Sequence, residues 1–133
     1  TKAALEEGIV AGGGIALLDA ARKITRKAHR SQSESFNLGY RLMIESLTSV
    51  WEQIVENAGE NPDDLLDKML ARKNKYGYDT KNKKFGNMIT MGIVDPFKVT
   101  KNAVLNSASV ASIILTTSCV ISNKRIREDE SSR

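Results

Sequence analysis

The chain has 133 residues, 41% hydrophobic and 27% charged, a balance suited to one globular domain with one core. Its formal charge of +4 and pI near 9.3 come from scattered Lys and Arg; with no aromatics interleaved among them, they do not indicate a nucleic-acid binder. A single cysteine excludes an intrachain disulfide, a single cysteine and a single histidine together argue against a zinc site, and no run of eighteen apolar residues exists to span a membrane.

Residues 1–8 are helix-forming from the first position and stop near Gly8, like the end of a longer helix. Gly12, Gly13 and Gly14 follow, directly before Ile15-Ala16-Leu17-Leu18-Asp19-Ala20-Ala21. Three glycines before a helix permit a tight joint between elements, or a bare backbone that a ligand can approach. No Gly-Lys-Ser/Thr follows, and the spacing is not that of a dinucleotide fingerprint. The polar stretch 23–35 reads as a connection, and His29 within it as a solvated side chain.

From Phe36 the helical period resumes, with Leu38, Leu42, Met43, Leu47, Val50, Trp51, Ile54 and Val55 as a core stripe. Gly59 suits the position after a helix, and Pro62 the start of the next. Asp63 and Asp64 then fall in a first turn, where negative charge is favoured without any metal. Residues 76–88 place Tyr76, Tyr78 and Phe85 around a polar tip, the pattern of a β-hairpin.

Asp95 can cap a helix with Pro96 at its first position. As a cap it is merely structural; it would also suit the wall of a site. Val99, Ala103, Val104, Ala108, Ala111 and Leu115 recur behind it at helical spacing, and 108–117 is small or apolar on nearly every face. That predicts a helix buried inside a domain. Cys119 falls in an apolar run and reads as a buried, inert thiol. Residues 119–122 read as a final strand that needs a partner from elsewhere. Residues 123–133 read as a charged, frayed tail.

The ordered set is more specific than its parts. Glu6-Glu7-Gly8-Ile9-Val10-Ala11-Gly12-Gly13-Gly14-Ile15-Ala16-Leu17-Leu18 comes first. Tyr76-Gly77-Tyr78-Asp79, Gly86-Asn87-Met88 and Met91-Gly92-Ile93-Val94-Asp95-Pro96 follow. Ser109-Val110-Ala111-Ser112, Thr116-Thr117 and Cys119 complete it. In this order and spacing they resemble the group I chaperonins, the GroEL-type heat-shock proteins. The resemblance runs from Thr1 to about Ser122 and is to the C-terminal part of that family.

It implies a mainly α fold: the C-terminal half of a chaperonin equatorial domain, a helical bundle with a small β-hairpin and a C-terminal strand. Residues 1–8 would end the return helix of the intermediate domain, and 9–122 would belong to the ATP-binding equatorial domain. By position, Gly12 and Gly13 would present backbone at a ribose, with Asp79 and Thr80 at the adenine edge. Ile93 would pack on the base, and Asp95 would accept the ribose hydroxyls.

The resemblance further implies ATP or ADP as ligand, with Mg held in the N-terminal half of the family's chain. The hydrolytic Asp also lies outside these residues, so no catalytic or metal-binding residue is expected here and no hydrolysis by these residues alone. Implied partners are neighbouring subunits and, through other domains, unfolded polypeptide clients and a co-chaperonin; nucleic acid and membrane are not expected. Val50 stands where the family often has Pro, Glu52 where bacterial members have Arg, and Asn61 where they have an acid. With the atypical 23–35 stretch and tail, this drift points to an organellar member, mitochondrial or plastid. The competing reading is a stand-alone helical assembly module without ATPase activity.

Overall fold

The computed structural model describes residues 2–26, 33–70 and 74–122. His29 and the 123–133 tail therefore lie outside the described residues. In chain order the elements are α1 (Lys2–Glu7), β1 (Ile9–Ala11), α2 (Ile15–Arg26), α3 (Glu34–Asn57), α4 (Pro62–Leu70), β2 (Tyr76–Asp79), β3 (Lys84–Asn87), β4 (Val94–Pro96) and α5 (Phe97–Thr116). The chain divides into two units, Thr1–Thr100 and Lys101–Arg133.

In the first unit, α2 starts directly behind the glycines and runs to Arg26, into the stretch 23–35 that the sequence suggests as a connection. Lys and Arg are good helix formers, and the last turns are anchored. The Thr25 hydroxyl donates to the Ala21 carbonyl (2.8 Å), and the Tyr40 hydroxyl donates to Ile24 O (2.9 Å) from the neighbouring α3. Ser33 caps α3 by accepting from the Phe36 N–H at 3.3 Å. The helix ends at Asn57 with Gly59 at a φ of +76°. Asn61 then accepts from the Asp63 N–H at 3.1 Å, so Asp63 and Asp64 sit in the first turn of α4 as helix-start charges.

Only part of the α3 stripe is core. Leu47, Trp51 and Val55, spaced by four, are buried; Leu38, Leu42, Met43, Val50 and Ile54 are exposed. With Trp51 and Val55, Ile15 and Leu18 from α2, Met69 from α4 and Met88 after the hairpin form the fully buried set. The hairpin β2–β3 pairs Tyr78 with Phe85 and Asp79 with Lys84. Tyr78 and Phe85 rings lie 4.8 Å apart, closing its base as the aromatic pattern implied.

β4 corrects the sequence reading of Asp95 as a helix cap. Val94–Pro96 is a strand antiparallel to β1, with Ile9 opposite Pro96, Val10 opposite Asp95 and Ala11 opposite Val94. The helix begins one residue after Pro96. The pairing captures the backbone at Asp95 before the helix can start, and the Phe97 N–H donates to Gly8 O at 3.1 Å.

The second unit differs from expectation in three ways. α5 is apolar on most faces yet contains no buried residue; Leu115 is 86% exposed. Cys119 is exposed rather than buried. Residues 117–122 form no strand, with Val120 and Ile121 exposed. The reason is common to all three: composition shows that a segment favours cover, and among the described residues nothing supplies that cover.

Candidate nucleotide site

Gly12 and Gly13 lie at the end of β1, where the strand passes into α2. The Gly12 N–H donates to Ile93 O at 2.9 Å, and Gly12 O accepts from the Ile15 N–H at 3.2 Å. A Cβ on Gly12 would stand 3.1 Å from the Ile93 carbonyl carbon and the Val94 nitrogen. Only glycine lets these two backbones approach so closely. Gly14, at φ +76°, would set a Cβ 3.0 Å from the Trp51 backbone. A joint between β1, α2 and α3 thus accounts for the glycines sterically, and the same joint leaves Ile93 and Asp95 beside them.

Asp95 sits on β4 opposite Val10, two rungs from the chain's turn at Gly12. It is exposed, and its carboxylate takes no hydrogen bond or ion pair among the described residues. Ile93 is half-buried against the core. Gly12, Gly13, Ile93 and Asp95 are therefore gathered at one corner.

Asp79 and Thr80 belong to the hairpin. The Asp79 Oδ1 accepts the N–H groups of Lys81 (3.0 Å) and Asn82 (3.2 Å), and its Oδ2 accepts from Asn82 Nδ2 at 2.6 Å. The Asn82 side chain, then the two backbone N–H groups, hold the Asp79 carboxyl below its ordinary range against the opposing effect of burial. This carboxylate organises the tip. No hydrogen bond or ion pair joins Asp79 or Thr80 to the other four residues among the described residues.

One buried carboxylate escaped the sequence reading. Asp19, 8% exposed, accepts from the Lys75 N–H at 2.7 Å and from Arg22 Nη1 at 3.2 Å. The signal was available: a charge within Leu17-Leu18-Asp19-Ala20-Ala21, followed three residues later by Arg22. Arg22 also lines an open cavity of about 350 Å³ with Leu18, Thr25, Ile44 and Leu66. Its Nε and Nη2 are buried without an acceptor among the described residues. Among those residues no three potential ligands cluster to hold a metal, and no helix is long and apolar enough to cross a membrane.

The family model of the TCP-1/cpn60 chaperonin family matches residues 1–125. The chain belongs to that family. A solved structure described as a group III chaperonin in the open state is similar to it, with a TM-score of 0.75 and 30% identity. The match covers 90% of this chain and 25% of that one, so the chain spans about a quarter of that relative's length. The mainly helical fold with a small hairpin is that of part of a chaperonin equatorial domain.

Proposed function

We propose that this chain supplies the adenosine-binding corner and subunit contacts of an ATP-dependent protein-folding chaperonin of the group I type. The observation that carries the site is the exposed, unbonded Asp95 on the same β1–β4 ladder as the Gly12–Ile93 backbone pair, two rungs away. A carboxylate with free lone pairs suits two vicinal ribose hydroxyls. Gly12 and Gly13 let a sugar come close, and Ile93 offers an apolar surface to a base. The Gly12 N–H is already bonded, so this glycine acts by leaving space rather than by donating. Asp79 shapes the tip that presents Thr80 at the adenine edge.

The group I assignment rests on the ordered motifs, although the solved relative carries a group III description. By the family resemblance the magnesium ligand and the phosphate-binding loop, both of which hydrolysis requires, are supplied by the N-terminal half of the family's chain. ATP turnover would belong to the whole ring, together with client folding and a co-chaperonin. An organellar location is supported by the departures at Val50, Glu52 and Asn61, together with the atypical 23–35 stretch and tail.

A direct test titrates ADP into the chain and into an Asp95→Ala variant, followed by backbone NMR shifts. Shifts at Gly12, Gly13 and Ile93 in the parent, with affinity about tenfold weaker in the variant, are expected for loss of a charge-assisted hydrogen bond. Equal affinity in the two proteins would remove Asp95 from the site. The exposed α5 favours a second reading, an assembly module without ATPase activity, which gains if the parent binds no nucleotide yet self-associates.

A further inference from the structure

A closed circuit of hydrogen bonds links the glycine turn, the hairpin and Ile93. The Gly12 N–H donates to Ile93 O (2.9 Å), the Ile93 N–H to Met88 O (2.9 Å), and the Met88 N–H to Lys75 O (2.9 Å). The Lys75 N–H then donates to Asp19 Oδ2 at 2.7 Å. Asp19 lies one turn into the helix that opens with the Ile15 N–H on Gly12 O. Every link is backbone to backbone except the one made by Asp19, so it alone can be removed by changing a side chain.

We propose that Asp19 is a positioning residue for the nucleotide corner: its carboxylate fixes the entry to β2, and through it the hairpin, against the start of α2. The proposal rests on the adenosine reading for its consequence in binding, though the circuit itself does not. Three observations support it. Asp19 is buried, so its oxygens must be satisfied within the protein, and Arg22 and the Lys75 N–H do so. Lys75 has a φ of +66°, a left-handed backbone that side-chain-bearing residues adopt only when their surroundings hold them there. Beyond Lys75 the strand packs closely on α2, where a Cβ on Gly77 would meet Ile15 Cγ1 at 2.8 Å. A shift at Lys75 therefore passes to Gly77 and along the strand to Asp79 and Thr80.

The test compares the parent chain with Asp19→Ala, Asp19→Asn and the paired change Asp19→Leu with Arg22→Leu. Amide hydrogen exchange is read by NMR, and affinity with ADP as the probe. The paired change removes both charges together and guards against a single variant that fails to fold. Expected are Lys75 exchange about tenfold faster in Asp19→Ala and in the paired variant, unchanged exchange across α3, and ADP affinity lower by a similar factor. Asp19→Asn retains an acceptor oxygen and should restore most of both.

Unchanged Lys75 exchange in every variant would overturn the proposal. So would faster exchange spread evenly over the first unit, which marks a general loss of stability. Faster Lys75 exchange with parental ADP affinity would also overturn it. If the parent binds no ADP, the adenosine reading falls by itself, and selective Lys75 exchange restored by Asn still supports Asp19 as the residue that positions the hairpin.

Discussion

α3 and α5 are the two long helices, and they spend their apolar residues differently. α3 mixes charged and apolar positions and buries Leu47, Trp51 and Val55, with Trp51 at 1% exposure. α5 is the more uniformly apolar, carrying Val110, Ile113, Ile114 and Leu115 in close succession, and buries none of them. The difference lies in what surrounds each helix. Gly14 brings the start of α2 onto the Trp51 backbone, and Met69 and Met88 fill the remaining space. Burial thus follows from available partners rather than from hydrophobicity alone.

The largest expected effect comes from the well-covered helix. Trp51→Ala should destabilise the first unit by about 3–5 kcal/mol, the usual cost of a large buried aromatic, read as a lower midpoint in urea. A loss below about 1 kcal/mol would mean that Trp51 is no better covered than α5.

A smaller effect is expected at the hairpin tip, on acidification. The folded-state pKa of Asp79 is lowered, so its contribution is fully present above the unfolded carboxylate value of about 3.9. It is lost as pH falls through the lower folded value. Exchange of the Lys81 and Asn82 amides should therefore quicken below about pH 4, and Asp79→Asn should abolish that pH dependence. A tip that opens near neutral pH would contradict the assignment.

The smallest effect on stability is expected from α5. Replacing Ile113 and Leu115 together by Ser should leave unfolding of the first unit within about 0.5 kcal/mol. It should also reduce self-association by sedimentation velocity, because large exposed apolar surfaces drive association. A marked fall in the urea midpoint would show that α5 supports the first unit after all, and would erase the contrast with α3.

Local signals explain how much could be read beforehand. α3, α4 and the hairpin follow from periodicity, Pro62, Gly59 and the aromatics around a polar tip. Long-range pairing was not legible. Three-residue strands such as β1 and β4 have too few positions to show alternation, and their partners lie far apart in sequence, so Asp95 reads as a cap until Val10 is found opposite it. For Asp19 the local signal, a charge in an apolar run followed by Arg22, was legible, but its second partner was not, because the Lys75 N–H lies fifty-six positions away. The exposure of α5 and of Cys119 depends on neighbours that these residues do not name. The candidate site shows the same limit: Gly12, Gly13, Ile93 and Asp95 are brought to one corner by the β1–β4 ladder, and only the family resemblance linked them in the sequence.

The β1–β4 ladder has a mechanical consequence. Its outermost rung is Ile9 with Pro96, the residues nearest α1 and α5, and Ala11 with Val94 lies innermost. A pull applied through those helices meets the rungs one after another, as in a zipper, rather than all at once in shear. The Lys98–Glu6 ion pair, which spans ninety-two positions, stands just outside the first rung and would part before it. Tension carried along the chain would therefore separate Asp95 from the glycine strand while the Trp51 core remained closed, making this corner the compliant point of the first unit.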